Sequence, residues 1–458
     1  MNAPLIWILL PGLLALLLAL LPLPVRFRKA GALGAALFFT LLAAVLRVDE
    51  VQVIGPLAYR IPSEWVVAGR SFVLDESGRK IAFSVYVALA FWLLPASAVA
   101  VPALFSPLSL GSAALFLAAL TVRPILFAPL LIFGAVLLQI FVLTPPGRQV
   151  SAGVLRLLAY QAIAMPFLLI AGWLVSGVDQ RTTGVAEIPV PLFLGLGLAF
   201  LFGVFPLHSW VPMILEKGES YAAAFAITLM MQVNGLFLVE FLGRYAAQES
   251  LLGFEQYLRY AGVVMWGFAG LWSLFQRDLG RMLGFALLAE MGRMLLWLGL
   301  DSGGGWYMQT LAPRLLAFGV WALALSLLRP RVPGFQFRDV VGVGRRFPVV
   351  SLGIVVAHAS AAGLPLLAGF PLAWSLTRLL ANRHAGMAVI ALLGTAGLLG
   401  GVLRTLAVFL MGEEAEAEAE GEERPHWYPR LLVVMGVLGL LVLGLFPQAI
   451  FYLAGIWD

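Results

Sequence analysis

Apolar stretches of membrane-spanning length follow one another along almost the whole chain, separated by short polar turns and by Pro and Gly punctuation. They count out to about fourteen. The first covers 5–21 and stops at Pro22-Leu23-Pro24; a basic turn with Arg26, Arg28 and Lys29 leads to the second, 33–46. Residues 47–80 break the pattern, and their polar character predicts a loop. A third helix is expected over 81–104, a fourth and fifth within 108–143 with their junction near Val122-Arg123-Pro124, and a sixth from about Val154. Helices seven to eleven read as 193–205, 222–242, 260–275, 282–300 and 311–328. The last three read as 349–376, 387–411 and 431–446.

Two of these helices are interrupted. The seventh runs fully apolar to Phe205 and then reads Pro206-Leu207-His208-Ser209-Trp210-Val211-Pro212. Pro206 removes a backbone donor and stops regular helix, and Pro212 punctuates again. A broken helix with a polar residue at the break is tolerated in a membrane only inside protein or along water. The same residues also fit a helix that ends at Pro206, with Trp210 as an interfacial anchor. The twelfth helix contains Gly363-Leu364-Pro365, a second interruption.

Composition supports a polytopic membrane protein: 62% of the 458 residues are apolar and only 12% charged, where a soluble domain carries about 25% charge. The absence of cysteine excludes disulfides, thiolate nucleophiles, iron–sulfur clusters and cysteine zinc sites. Four scattered histidines, at 208, 358, 384 and 426, show no metal-ligand spacing, so neither metal nor cofactor is expected. The net charge of +5 suits basic cytoplasmic loops better than nucleic-acid binding. The first apolar run lacks a charged leader and a cleavage site and reads as a retained helix. Placing the first loop inside puts 14 of the 29 basic residues in inside loops and 10 in outside loops, which predicts both termini outside. The alternating Glu/Ala run at 413–424 predicts a solvated acidic loop, with docking of a basic partner as the functional alternative.

Four stretches together resemble the antiporter-like subunits of respiratory complex I, Mrp-type antiporters and membrane-bound hydrogenases. Pro206-Leu207-His208-Ser209-Trp210-Val211-Pro212 is similar to the family's P-L-H-x-W-L-P, and Asp278-Leu279-Gly280-Arg281-Met282-Leu283-Gly284-Phe285 to its D-x-K-R-x-L-A-Y. Ala362-Gly363-Leu364-Pro365-Leu366-Leu367-Ala368-Gly369-Phe370 is similar to A-G-L-P-P-x-x-G-F, and Gly344-Arg345-Arg346-Phe347-Pro348 to the lead into the twelfth helix. The clear coverage is about residues 150–410. The resemblance implies an all-α fold of about fourteen transmembrane helices in two inverted five-helix repeats, helices 4–8 and 9–13, broken at helices 7 and 12. The expected division is 1–106 for helices 1–3, 107–245 and 255–411 for the repeats, 412–430 for the acidic cytoplasmic loop and 431–458 for the last helix. The sequence stops soon after that helix, without the lateral amphipathic helix of one branch, so the shorter branches are expected.

The family's chemistry runs along ionisable residues at the bilayer midplane: a Glu on helix 5, lysines on helices 7, 8 and 11, and Lys or Glu on helix 12. Lysine suits a proton relay because burial lowers its pKa readily, whereas arginine stays protonated. By motif alignment those positions hold Arg123, Leu201, Met230, Arg314 and Ala373, with Gln232 and Asn234 beside Met230. The three lysines, Lys29, Lys80 and Lys217, fall outside the predicted spans, which excludes a lysine relay. The remaining proton-path candidates are Glu290, His208 and His358, with Arg293, Arg314 and Arg123 as charge or packing partners. Glu290 and Arg293 share a helix face and fit either a proton-exchanging carboxylate or a buried ion pair that fixes packing. His208 fits proton transfer or a structural hydrogen bond at the helix break, whereas His358, a lone helix histidine just before the second break, fits packing more readily than proton transfer. Glu240 reads as structural, either snorkelling to the interface or pairing with Arg244, four residues on.

The resemblance therefore implies a membrane-arm subunit of a complex I-like quinone oxidoreductase, itself non-catalytic, in a degenerate copy with a weakened or altered proton path. A cation/proton antiporter or bicarbonate-uptake complex of the same fold is the alternative. The implied partners are the bilayer, antiporter-like neighbours and small membrane subunits, with no nucleic acid. The implied location is a prokaryotic inner membrane.

Overall fold

A computed structural model describes residues 2–54, 57–145, 147, 149–176, 190–245, 251, 253–300, 305–411 and 427–449. The acidic run at 413–424 lies outside the described residues, as do Arg148, Arg181 and His426. The first half comprises α1 (Leu5–Leu20, π-helical over Leu5–Leu9), α2 (Val25–Val45), α3 (Glu76–Leu93), α4 (Phe105–Thr121), α5 (Ala128–Leu143), α6 (Ala152–Ser176), α7 (Val190–Phe202), α8 (Trp210–Lys217) and α9 (Ser220–Tyr245). The second half comprises α10 (Phe254–Phe275), α11 (Leu279–Leu300), α12 (Gly305–Leu328), the short α13 (Val343–Arg346), α14 (Pro348–Ala362), α15 (Phe370–Arg383), α16 (Ala385–Leu410) and α17 (Trp427–Leu445). Among the described residues ten helical segments are long and apolar enough to cross a membrane, and Leu5–Leu20, Phe105–Thr121 and Pro348–Ala362 are shorter apolar helices. The helices α9 and α11 are buried almost throughout. By contrast, α1, α2, α16 and α17 turn rows of leucines outward, as lipid-facing helices do.

The region expected as a loop at 47–80 is instead built largely of strands. Strand β1 (Val51–Ile54) pairs antiparallel with β2 (Leu57–Arg60), and β3 (Glu64–Val67) pairs with β4 (Arg70–Val73). The two-residue β5 (Val122–Arg123) adds to β4, with Ser71 opposite Arg123. The chain is thus mainly helical rather than all-α. The third helix starts five residues before the expected Ile81, because Asp75 caps it by accepting the Gly78 amide at 2.9 Å. It stops at Leu93, ahead of Pro95, rather than at 104. The second helix begins at Val25 and absorbs the basic turn. Contrary to the sequence reading, Lys29 and Lys80 therefore lie inside helices, near their N-terminal ends, and Lys217 is the last residue of α8. Lys29 reaches back to the Ala96 carbonyl at 2.8 Å, a snorkelling geometry.

Both expected breaks are present, and both are built the same way. At the end of α7, Gly203 is left-handed (φ 62°); its amide bonds to the Phe200 carbonyl and the Val204 amide to Ala199 at 2.9 Å. At the end of α14, Gly363 is left-handed (φ 81°); its amide bonds to Ser360 and the Leu364 amide to Ala359 at 2.9 Å. Each is a Schellman cap, which satisfies terminal carbonyls of the helix that stops there. Pro206 and Pro365 follow the glycines and prevent resumption, and the chain re-enters helix at Trp210 and Phe370. Pro212 sits in the first turn of α8, where its missing donor is harmless.

The second half is held by close backbone contact. A Cβ on Gly270 of α10 would lie 2.0 Å from the Gly394 carbonyl oxygen of α16, and one on Gly397 would lie 2.4 Å from the Gly270 oxygen. Eight residues earlier on α10, a Cβ on Gly262 would meet the Gly292 oxygen of α11 at 2.6 Å. Small residues let α10 sit directly against both neighbours, the usual basis of helix association where lipid supplies no hydrophobic drive.

Candidate functional site

Glu290 and Arg293 stand one turn apart on α11, so their side chains leave the same face. The Glu290 carboxylate contacts the Arg293 guanidinium at 2.6 Å and Nε of Arg314, from α12, at 3.1 Å. Arg314 also donates to the hydroxyl of Thr310, one turn earlier on α12, at 2.7 Å. Arg293 donates to the Ala361 carbonyl at 2.7 Å, in the last turn of α14 before the break. Both arginines are buried, at 7% and 3% exposure, so the cluster is shielded from bulk solvent. A cavity of about 30 Å³ lies beside it, reaching Ser360, Gly369 and Ala373 around the break. That volume suffices for water. Neither arginine is a proton carrier, since a guanidinium does not release its proton. Glu290 is the group of the three that can exchange one, and it does so only by giving up ionic contacts in a low-dielectric site.

The two histidines lie elsewhere, and among the described residues no hydrogen bond joins them to Glu290 or to each other. His358 is fully buried on α14, stacked on Trp321 at 4.3 Å between ring centroids, with neither ring nitrogen hydrogen-bonded. Gly401 of α16 leaves room between its ring and the Ser273 hydroxyl, since a Cβ there would lie 3.2 Å from the one and 3.4 Å from the other. His208 occupies the first break within a group of rings, 5.5 Å from Phe205 and 4.9 Å from Phe268. Its neighbour Ser209 accepts from Arg156 of α6 at 2.9 Å.

The substituted positions are buried and apolar. Leu201 lies on α7, where its carbonyl accepts from Gln161 at 3.1 Å, and Met230 lies in the buried centre of α9. Ala373, on α15, lines the Glu290 cavity. Arg123 stands on β5, between α4 and α5, and not on the fifth helix. It approaches Glu240 at 3.9 Å, and Arg244 holds the same carboxylate at 3.2 Å, as the four-residue spacing predicts. The Asp278 motif is architectural: Asp278 accepts the Arg281 amide at 2.9 Å at the start of α11, and Arg281 pairs with Glu216 of α8 at 3.2 Å. Burial raises the Asp278 carboxyl above its ordinary range. Sequence reasoning missed Thr310, which its i,i+4 spacing to Arg314 signals, and Gln139 and Gln161, which are isolated amides in apolar runs.

Residues 125–399, more than half of the chain, match the family described as NADH:quinone oxidoreductase/Mrp antiporter, TM. A relative, the NADH-quinone oxidoreductase subunit N 1 of Herpetosiphon aurantiacus, is 26% identical over 59% of this chain and 56% of its own length. The chain spans between 52% and 66% of the length of four such relatives. A chain of respiratory complex I from Thermus thermophilus matches the fold with a TM-score of 0.70 at 21% identity, over 97% of both chains. A chain of an archaeal membrane-bound sulfane sulfur reductase matches with a TM-score of 0.75 at 14% identity, over 100% of this chain and 97% of that one. The structural likenesses speak to the fold, and the matched sequence reaches further. By that match the chain belongs to the NADH:quinone oxidoreductase/Mrp antiporter family of transmembrane subunits.

Proposed function

We propose that the chain is an antiporter-like membrane-arm subunit of a redox-driven, complex I-like assembly, in which a fixed ion-pair centre replaces the usual lysine line. The observation that carries this is Glu290 clamped between Arg293 and Arg314, at 2.6 and 3.1 Å, beside an alanine at the twelfth-helix position. Its role is mechanical and electrostatic coupling. Arg293 ties the carboxylate to the Ala361 carbonyl, so a change of charge near Glu290 acts on the broken helix directly. Proton transfer through this subunit is weakened or rerouted, with His208 and His358 as the groups left to it and Glu290 a held charge.

The finer architecture belongs to the same reading: fourteen helices, two inverted five-helix repeats and breaks in helices 7 and 12. The matching Schellman caps at Gly203 and Gly363 support it. So does the placement of α8 and α15 as the second halves of broken helices. The assembly resides in a prokaryotic inner membrane, with the termini outside. Its other membrane subunits flank this chain, and electron transfer belongs to separate chains.

Gentle detergent extraction followed by mass spectrometry of the intact complex tests the placement. Quinone-reductase or hydrogenase-type chains are expected to co-purify. Recovery with antiporter-type chains alone contradicts the redox assignment and favours the cation/proton antiporter alternative.

A further inference from the structure

The start of α14 and the start of α17 enclose a surface cavity of about 240 Å³ whose charged lining is Arg345, Arg346 and Arg430. Its other walls include the apolar side chains of Phe347, Val349 and Val350, and among the described residues no carboxylate lines it. Among the described residues no ion pair holds any of the three arginines. A fourth, Arg331, lies 5.8 Å from the centre of the Phe347 ring and adds to the local positive potential.

We infer that this pocket binds the phosphate group of an anionic membrane phospholipid. Its level in the membrane carries the argument. Arg430 lies in the first turn of α17, two residues after the half-buried Tyr428 and three after the exposed Trp427, an aromatic pair of the kind that marks the membrane–water boundary. The guanidiniums therefore stand where lipid phosphates lie. Three like charges around one cavity repel one another, and a phosphate accepting paired N–H donors relieves that repulsion. The surface next to the pocket is greasy: Leu352, Leu431, Val434 and Met435 are exposed on α14 and α17 and offer a bed for acyl chains. A soluble phosphate would use the arginines and leave that bed unused. Basic pockets between helices on the cytoplasmic side recognise anionic headgroups in this way.

The test uses the full chain in its native assembly, delipidated and returned to bilayers of phosphatidylcholine containing a minor fraction of phosphatidylglycerol. Bound lipid is read by native mass spectrometry. The R345Q/R346Q/R430Q variant is expected to retain phosphatidylglycerol on the order of tenfold less than wild type, with phosphatidylcholine unchanged. R345K/R346K/R430K, which keeps the charge, is expected to retain most of it. If the glutamine triple variant is not recovered folded, R430Q alone is expected to lose about threefold. Equal retention by the glutamine variants overturns the assignment. Displacement of the lipid by millimolar inorganic phosphate also overturns it, since the free ion is then the ligand. Replacing the glutamates of 413–424 by glutamine addresses the chain's own acidic run: unchanged lipid retention supports the lipid, and a large gain overturns it by showing the run as the native occupant.

Discussion

The Arg293 guanidinium lies 2.7 Å from the Ala361 carbonyl oxygen and donates to it, joining the α11 ion pair to the last turn of α14. One side chain therefore connects the buried carboxylate to the helix break two residues further on. Replacing it with Met strands the Ala361 carbonyl and leaves Glu290 with one arginine. The expected cost is about 3 kcal/mol, as for a broken buried pair. Amide exchange at Gly363 and Leu364 is expected to rise with it. Arg314→Met is expected to destabilise comparably while leaving exchange at the break unchanged. Equal exchange in the two variants contradicts the connection.

Close approach of α10 and α16 gives a second prediction. Gly270→Ala places a methyl group 2.0 Å from a backbone oxygen that cannot yield, so the variant is expected to lose the folded second half. Gly34→Ala, on an exposed face of α2 with nothing within 4 Å, is expected to be neutral or to stabilise by about 0.5–1 kcal/mol. Thermal unfolding in detergent distinguishes them, and similar midpoints contradict the packing argument.

His358 offers a third. Its ring stacks on Trp321 and neither nitrogen is hydrogen-bonded, so packing dominates its present role. His358→Phe keeps a planar ring but adds volume to a packed site, so it is expected to fold with a loss of about 1–3 kcal/mol. Proton transfer by the assembly then reports on the imidazole alone. A large loss of stability shows instead that the nitrogens are satisfied by buried water.

Asp278 gives a pH dependence. Burial raises its carboxyl, so the folded chain holds that proton more tightly than the unfolded chain. Stability contributed by the protonated form is present in acid and is lost as pH rises from the ordinary carboxylate range through the raised value. Asp278→Asn keeps an acceptor for the Arg281 amide and removes the charge. The variant is expected to gain stability relative to wild type above that window and to match it below. Unfolding midpoints across acidic to neutral pH check this, and a variant less stable at neutral pH shows that the pairing with Arg281 outweighs burial.

Much of this architecture is legible in the sequence because its signals are local. Pro206, Gly363 and Pro365 mark both breaks, and the spacings Glu290 to Arg293 and Glu240 to Arg244 mark two ion pairs. The partner of Arg314 is not legible, because the contact crosses from α12 to α11 over 24 residues of separation. Strands β1 to β4 are missed because four-residue strands carry little periodicity and sit in a stretch read only as a gap between apolar runs. Arg123 is misplaced because the sequence shows the junction of two helices but not the strand that forms there.

The central claim is that Glu290 is a held charge and not the proton carrier. Redox-driven acidification by the reconstituted assembly, compared between wild type and Glu290→Gln at equal electron flux, tests it most directly. The account predicts that more than half of the proton transfer persists, accompanied by lower thermal stability from two arginines left without their carboxylate. Abolished proton transfer in a variant that assembles and unfolds like wild type contradicts it and makes Glu290 the relay.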